Sequence, residues 1–270
     1  MFTLGRKIDI HYPTNRWIIV IAILATGGSF SLTRDISIAW RTGASIFLTW
    51  ALTRELDPKR KYAAFASAFF ALSSLFVAFE VDLMAIFFLL LMMRFVNKIT
   101  GDINTILDMA ALLGLAAALS YNSETSIYLL LLLIGIFFNL RNTNDKKKNI
   151  IFLLFTAVIF TGQFLVTGGY GLSESDFSKG WIRIIYLVSV AFYLVYVLMD
   201  KEKSTLGDNG EMVEAKKILS AQLYFAIGIS ILMFFSKVPS GNVIVYMSSM
   251  LGYLIYGIMT SFIFPLLPNK

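Results

Sequence analysis

The stretch VDLMAIFFLLLMMRFVNKITGDINTILDMAALLGLAAALSY, residues 81–121, decides the fold. Two apolar runs, 81–99 and 103–121, flank a tight turn at Thr100-Gly101-Asp102. Each run is close to the roughly 20 residues that carry a helix across about 30 Å of hydrocarbon. Lipid offers no partners to backbone N–H and C=O groups, so each run must close its own hydrogen bonds as a helix. The pair is therefore expected to be an antiparallel hairpin.

Outward from this hairpin the pattern repeats. Apolar runs bounded by charge or turn residues lie at 17–33, 36–53, 62–79, 125–141, 150–168, 181–199, 218–236 and 243–264. The expectation is an all-α, polytopic transmembrane helix bundle of about ten helices. Eight remain if the two runs that contain a cation, 36–53 with Arg41 and 81–99 with Arg94, are not spans. The chain reads as one integral membrane domain, 1–270. An interfacial segment, 1–16, leads into a charged helix set, 17–141, and a tyrosine-striped set, 150–264.

Composition agrees. Of 270 residues, 57% are hydrophobic and 15% charged, with a mean hydropathy of +0.74, against about 45–50% and 25% in a soluble domain. Ten spans leave almost nothing for a soluble domain, so the bilayer is the expected surrounding. The net charge of +6 is the positive-inside signature of short cytoplasmic loops and not a nucleic-acid footprint. The absence of cysteine excludes disulfides and thiolate chemistry. The single histidine, His11, excludes a zinc site built on several histidines. A carboxylate-bound magnesium stays open, and no cofactor is named by the sequence.

The lysines and arginines orient the bundle. With residue 1 in the cytoplasm, the loops 54–61, 100–102, 142–149 and 200–217 and the C-terminus share that side. Counted with the abutting helix ends, these regions hold eighteen of the 23 basic residues; the other five are Arg34, Arg41, Lys179, Arg183 and Lys237. Both termini are thus expected inside. Trp17, Trp40, Trp50 and Trp181 sit near span ends, as interfacial anchors do. No cleavage pattern follows Arg6, Lys7 and Arg16, so the first helix is read as retained, in the plasma membrane of a prokaryote.

Charge at membrane depth is the strongest lead to function. Arg94 and Asp108 are symmetric about Gly101, which puts them at one depth in the hairpin and makes an ion pair the expectation. Asn97 and Asn104 join them, Asn104 and Asp108 sharing a helix face at i and i+4. Two readings are open. Thr100 or Asp102 caps the fifth helix and the ion pair locks the hairpin, or the cluster holds an anionic group or exchanges a proton at the cytoplasmic face.

A second concentration, Thr53-Arg54-Glu55-Leu56-Asp57-Pro58-Lys59-Arg60-Lys61, puts two carboxylates among cations in one short loop. It reads as a solvated Asp-Pro turn or as acid, base or metal ligands. Facing the hairpin, it would complete one polar site. On the second helix Ser37, Arg41, Ser45, Thr49 and Thr53 recur every four residues. Lipid cannot satisfy such a stripe, so it either bonds neighbouring helices, with Arg41 snorkelling outward, or lines a polar path. The pattern Tyr-x-x-Ser-x-x-x-Tyr-x-x-Tyr occurs at Tyr186, Ser189, Tyr193 and Tyr196 and again at Tyr246, Ser249, Tyr253 and Tyr256, which points first to packing.

Ten helices with both ends inside, in fewer than 300 residues, resemble in plan the drug and metabolite transporter superfamily. No motif accompanies that resemblance and no residue role is carried over. The leading functional reading is a small-solute permease whose gating or binding candidates are Arg41, Arg54, Glu55, Asp57, Arg94, Asn97, Asn104 and Asp108. The others are a membrane-embedded enzyme on a phosphorylated or lipid-linked substrate and a non-catalytic subunit with a membrane-protein partner.

Overall fold

A computed structural model describes residues 3–6, 9–76, 80–101, 104–143, 146–167, 180–200, 203–208 and 210–260, side chains of 180–183 excepted. Asp102 as a cap, the basic residues Lys7, Lys179, Lys201 and Lys270, the side chains of Trp181 and Arg183, and the C-terminal end lie outside the described residues.

Among the described residues there are ten α-helices: α1 Pro13–Thr33, α2 Ile36–Leu56, α3 Ala63–Ala71, α4 Leu83–Asn97, α5 Ile106–Asn122, α6 Ile127–Asn142, α7 Lys146–Thr167, α8 Gly180–Met199, α9 Ala215–Phe235 and α10 Ser240–Ile258. A 3-10 segment, Leu72–Phe76, continues α3. Each expected apolar run holds one helix. The connector 200–217 contains a small antiparallel hairpin, β1 Thr205–Leu206 on β2 Met212–Val213, with Thr205 opposite Val213.

Local chemistry sets the helix ends. Pro13 starts α1, where its missing N–H is not needed. Asp35 caps α2, accepting from the N–H groups of Ser37 (2.7 Å) and Ile38 (3.3 Å). The cap of α5 is neither Thr100 nor a residue of the turn but Thr105, whose Oγ1 accepts from Asp108 N–H at 3.2 Å while Asp108 reaches back to Thr105 N–H at 2.8 Å. This reciprocal box starts the helix at Ile106. Asn104 therefore precedes the helix, and the expected i, i+4 face with Asp108 does not form.

Four helices, α1, α7, α9 and α10, are long and apolar enough to cross a membrane; α3 with its 3-10 extension, α4, α5, α6 and the 184–199 part of α8 are apolar but shorter. Only 11% of the most apolar window of α7 and 17% of that of α1 is buried. Ile151, Leu154, Phe155 and Val158 of α7 face outward, as do Ile184, Phe192 and Leu198 of α8. Apolar faces of this extent are not left to water, which fits a bilayer surrounding.

The chain divides into two compact units. The first comprises the N-terminal Thr3–Arg6 segment, α4 from Phe87 onward, α5, α6, α7, the β-hairpin and α9. Its helix α6 packs on α5, α7 and α9. Gly135 lets Met92 and the Tyr224 ring approach α6, and Phe138 meets that ring edge-on at 6.4 Å. The second unit holds α1, α2, α3, α8 from Ile185 onward and α10, with α2 packed on α1, α3 and α10. Each unit draws on both the 17–141 and the 150–264 helix sets.

Candidate functional site

In the second unit, polar side chains run along α2. Arg41, near its start, is exposed, and its guanidinium lies 6.0 Å from the Trp40 ring centroid. Both line a cavity of about 300 Å³ with Glu80, Asp82, Met84 and Pro239. The 80–82 part of the lining is fastened in place. Gly241 N–H donates to Glu80 O at 3.2 Å, Asp82 N–H to Asn242 Oδ1 at 2.8 Å, and Asn242 Nδ2 to Asp82 O at 3.0 Å. Position 241 must be glycine for this contact, since a Cβ there would stand 2.6 Å from Glu80 O. Asp82 Oδ1 is spent on the α4 N-terminus, accepting from Met84 and Ala85 N–H at 3.0 and 3.1 Å.

Beyond Arg41 the stripe enters the bundle. Ser45, Thr49 and Thr53 are buried, whereas Ser37 is exposed. Ser45 donates to Thr42 O (2.8 Å), Thr49 to Ser45 O (2.8 Å) and Thr53 to Thr49 O (3.0 Å). Thr53 Oγ1 also reaches Ser67 Oγ on α3 at 2.8 Å. Ser67 is pressed against Gly252 of α10, where an added Cβ would stand 2.4 Å from Ser67 N. From Arg41 to Thr53 the line covers about 18 Å at 1.5 Å per residue.

At its far end stand the loop residues. Glu55 is fully buried and Asp57 nearly so, which overturns the reading of 54–61 as simply a solvated turn. Arg54 Nη1 reaches Pro58 O at 3.5 Å. Asp57 Oδ1 accepts from Arg60 N–H at 3.1 Å and Oδ2 pairs with Arg60 Nη1 at 3.4 Å. The same Nη1 donates to the Tyr196 hydroxyl at 2.8 Å. The two tyrosine stripes meet here, Tyr253 of α10 lying 5.5 Å from Tyr193 and 5.3 Å from Tyr196 of α8. Gly257 makes room, because a Cβ there would overlap the Tyr196 hydroxyl at 2.0 Å.

Arg60 and Tyr196 are the residues sequence reasoning missed. Along the chain Arg60 is one of the cations of the 54–61 loop and Tyr196 one member of a tyrosine stripe, and neither is a candidate by itself. The available signal was the hydroxyl of the last tyrosine of the stripe, beside the charged end of its helix. Nearby, Lys61 Nζ donates to the Tyr12 hydroxyl at 3.1 Å. That hydrogen bond and the ammonium charge hold the exposed Tyr12 phenol below its ordinary range.

The first unit contains the other candidates. Asp108 is fully buried and accepts from Thr3 N–H (2.7 Å), Thr3 Oγ1 (2.6 Å), Leu4 N–H (3.3 Å) and Thr105 Oγ1 (2.7 Å). Arg94 Nη1 donates to Leu4 O at 3.1 Å. The expected direct Arg94–Asp108 ion pair is thus replaced by a bridge, with Leu4 bonded to both. Asn97 Oδ1 caps its own turn by accepting from Ile99 N–H at 3.0 Å. Asn104 is 9% exposed and its Nδ2 makes no hydrogen bond among the described residues. Arg6 forms a two-pronged pair with Asp208, Nε to Oδ2 at 2.6 Å and Nη2 to Oδ1.

The loop 54–61 belongs to the second unit and Arg94 and Asp108 to the first; α4 and α5 do not pack closely on one another as the expected hairpin would, and α5 packs on α6 instead. Among the described residues no three histidine, aspartate or glutamate side chains converge as metal ligands would. No family model, no curated protein and no solved structure matches the chain.

Proposed function

We propose that this chain is a ten-span integral membrane protein with its N-terminus inside, in the plasma membrane of a prokaryote, acting as a small-solute permease. The single observation that carries the reading is the polar line of the second unit. It begins at a cavity bearing Arg41, continues through buried Ser45, Thr49 and Thr53, and ends at the Asp57–Arg60–Tyr196 lock. A path for polar solutes across lipid needs such a line on an inward helix face, open at one end and held shut at the other.

The segments the charge count assigns to one side also meet one another within each unit. Tyr12 touches Lys61, and Tyr196 touches Arg60, at one end of the second unit. Residues 80–82 and Asn242, assigned to the other side, join at the cavity. In the first unit Thr3, Leu4 and Arg6 bond Asp108, Arg94 and Asp208, all on segments assigned to the cytoplasm.

The test is flux. Proteoliposomes holding the full chain would be exposed to the low-molecular-weight fraction of a cell extract and the uptake of each solute followed by mass spectrometry. At least one solute is expected to enter faster than into empty liposomes. A Thr49→Cys variant, carrying the chain's sole thiol, is expected to lose that flux after labelling with a thiol reagent. Uptake indistinguishable from empty liposomes, or untouched by the label, removes the permease reading.

A further inference from the structure

The cavity at Arg41 suggests what would bind there. A volume of about 300 Å³ is at the small end of ligand pockets, which run about 300–1,000 Å³. The cavity lining includes Arg41 and Glu80, both exposed. Among the described residues neither side chain makes a hydrogen bond, with each other or with a third group. The second carboxylate, Asp82, is already committed to the α4 N-terminus.

Opposite charges that line one cavity without bonding each other pair best with a ligand that brings both signs. A lone anion would meet Glu80 and Asp82, and a lone cation would meet Arg41. Trp40, half exposed beside Arg41, offers a ring face to the carbon skeleton between the two charges. The backbone bonds of Glu80 and Asp82 to Gly241 and Asn242 hold the carboxylate wall in place, so little ordering is needed on binding.

We infer that this cavity is a binding site for a small zwitterion, its anionic group on Arg41 and its ammonium group on Glu80. Two sources present that chemistry: a free amino acid and a phosphatidylethanolamine headgroup. As a substrate assignment the inference rests on the permease reading; as a binding site it stands without it.

The experiment uses the full chain in phosphatidylglycerol nanodiscs, with thermal unfolding followed against each of the standard amino acids. Those that stabilise are compared with the matching deaminated acid and decarboxylated amine. At least one amino acid is expected to raise the midpoint saturably while both single-charge analogues fail. Arg41→Gln and Glu80→Gln are each expected to weaken binding at least about tenfold, with the unliganded midpoint unchanged because both side chains are exposed. Stabilisation by phosphatidylethanolamine over phosphatidylglycerol nanodiscs, lost in the same two variants, assigns the lipid headgroup as the zwitterion.

The inference is overturned if neither source stabilises, if an analogue lacking one charge binds equally well, or if binding survives both substitutions. Zwitterion binding without flux would leave the site standing and remove the permease. Flux of a solute indifferent to both substitutions would leave the permease standing and remove the zwitterion as its substrate.

Discussion

Leu4 stands between Arg94 and Asp108, its carbonyl accepting from the guanidinium at 3.1 Å and its N–H donating to the carboxylate at 3.3 Å. Two charges that look like a pair along the chain are joined by a third segment about a hundred residues away. The N-terminal segment is thereby strapped to the start of α5, with Leu4 only 1% exposed.

The strap depends on the charge of Asp108, which is both the capping-box residue of α5 and the anchor of Thr3. Asp108→Ala is expected to cost about 3 kcal/mol, from charge-assisted hydrogen bonds and a lost cap together. Asp108→Asn, which keeps one acceptor oxygen, should cost roughly half as much. Calorimetry in detergent measures both. Trypsin cleavage after Arg6 should accelerate at least about tenfold in the alanine variant, and equal cleavage rates would refute the strap.

Arg6 and Asp208 add a more exposed tie, and exposed ion pairs contribute only about 0.2–1 kcal/mol. Arg6→Ala should lower stability by that small amount at low salt and by less at high salt, as screening shortens the reach of the pair. A salt-independent loss would point to packing instead.

The close glycine contacts of the second unit predict a sharp contrast. Gly252→Ala would force a Cβ into the backbone of Ser67, and Gly43→Ala into Ala22 O and Thr26. Each is expected to cost at least about 1–3 kcal/mol. Gly27→Ala meets nothing within 4 Å and, being inside a helix, should be neutral or stabilising by up to about 1 kcal/mol. Thermal midpoints of the three variants decide the matter.

Tyr196→Phe keeps the ring contact with Tyr253 and removes the acceptor of Arg60. A loss of about 1 kcal/mol is expected. If the Asp57–Arg60–Tyr196 group closes a path, a Thr53→Cys probe should also become more reactive toward a thiol reagent added at that end. Unchanged reactivity would make the group structural only.

Tyr12 should titrate below the other tyrosines in an ultraviolet absorbance titration, and Lys61→Gln should return it to the ordinary range. The sign follows from linkage: a phenol depressed in the folded state adds stability above its unfolded pKa of about 10, and that contribution is lost as pH falls through the folded value.

The candidate residues divide by how local their chemistry is. Arg41, Glu55, Asp57 and Asp108 stand out along the chain because an ionisable group in or beside an apolar run needs a partner. Which partner is not written there. Thr3 and Leu4 carry nothing that marks them as ligands of Asp108, and Asn104 fell outside α5 because Thr105 competes for the same cap. Arg60 and Tyr196 are 136 residues apart, and nothing in the spacing of either tyrosine stripe foretells that α8 brings its hydroxyl to the Asp57 turn.

Apolar run length, prolines and caps act over a few residues, so the ten helices of the described residues and their approximate ends are legible along the chain. The sequence by itself also determined the uneven distribution of charge along the chain. Only the tertiary structure decided that helices from both halves interleave in two units, that Leu4 bridges Arg94 and Asp108, and that Arg41 and Glu80 face one cavity. The physical reason is that a helix is closed by hydrogen bonds within one run. A buried polar group, in contrast, takes whichever distant partner the packing brings within about 3 Å, and close glycine contacts such as Gly252 on Ser67 set that packing.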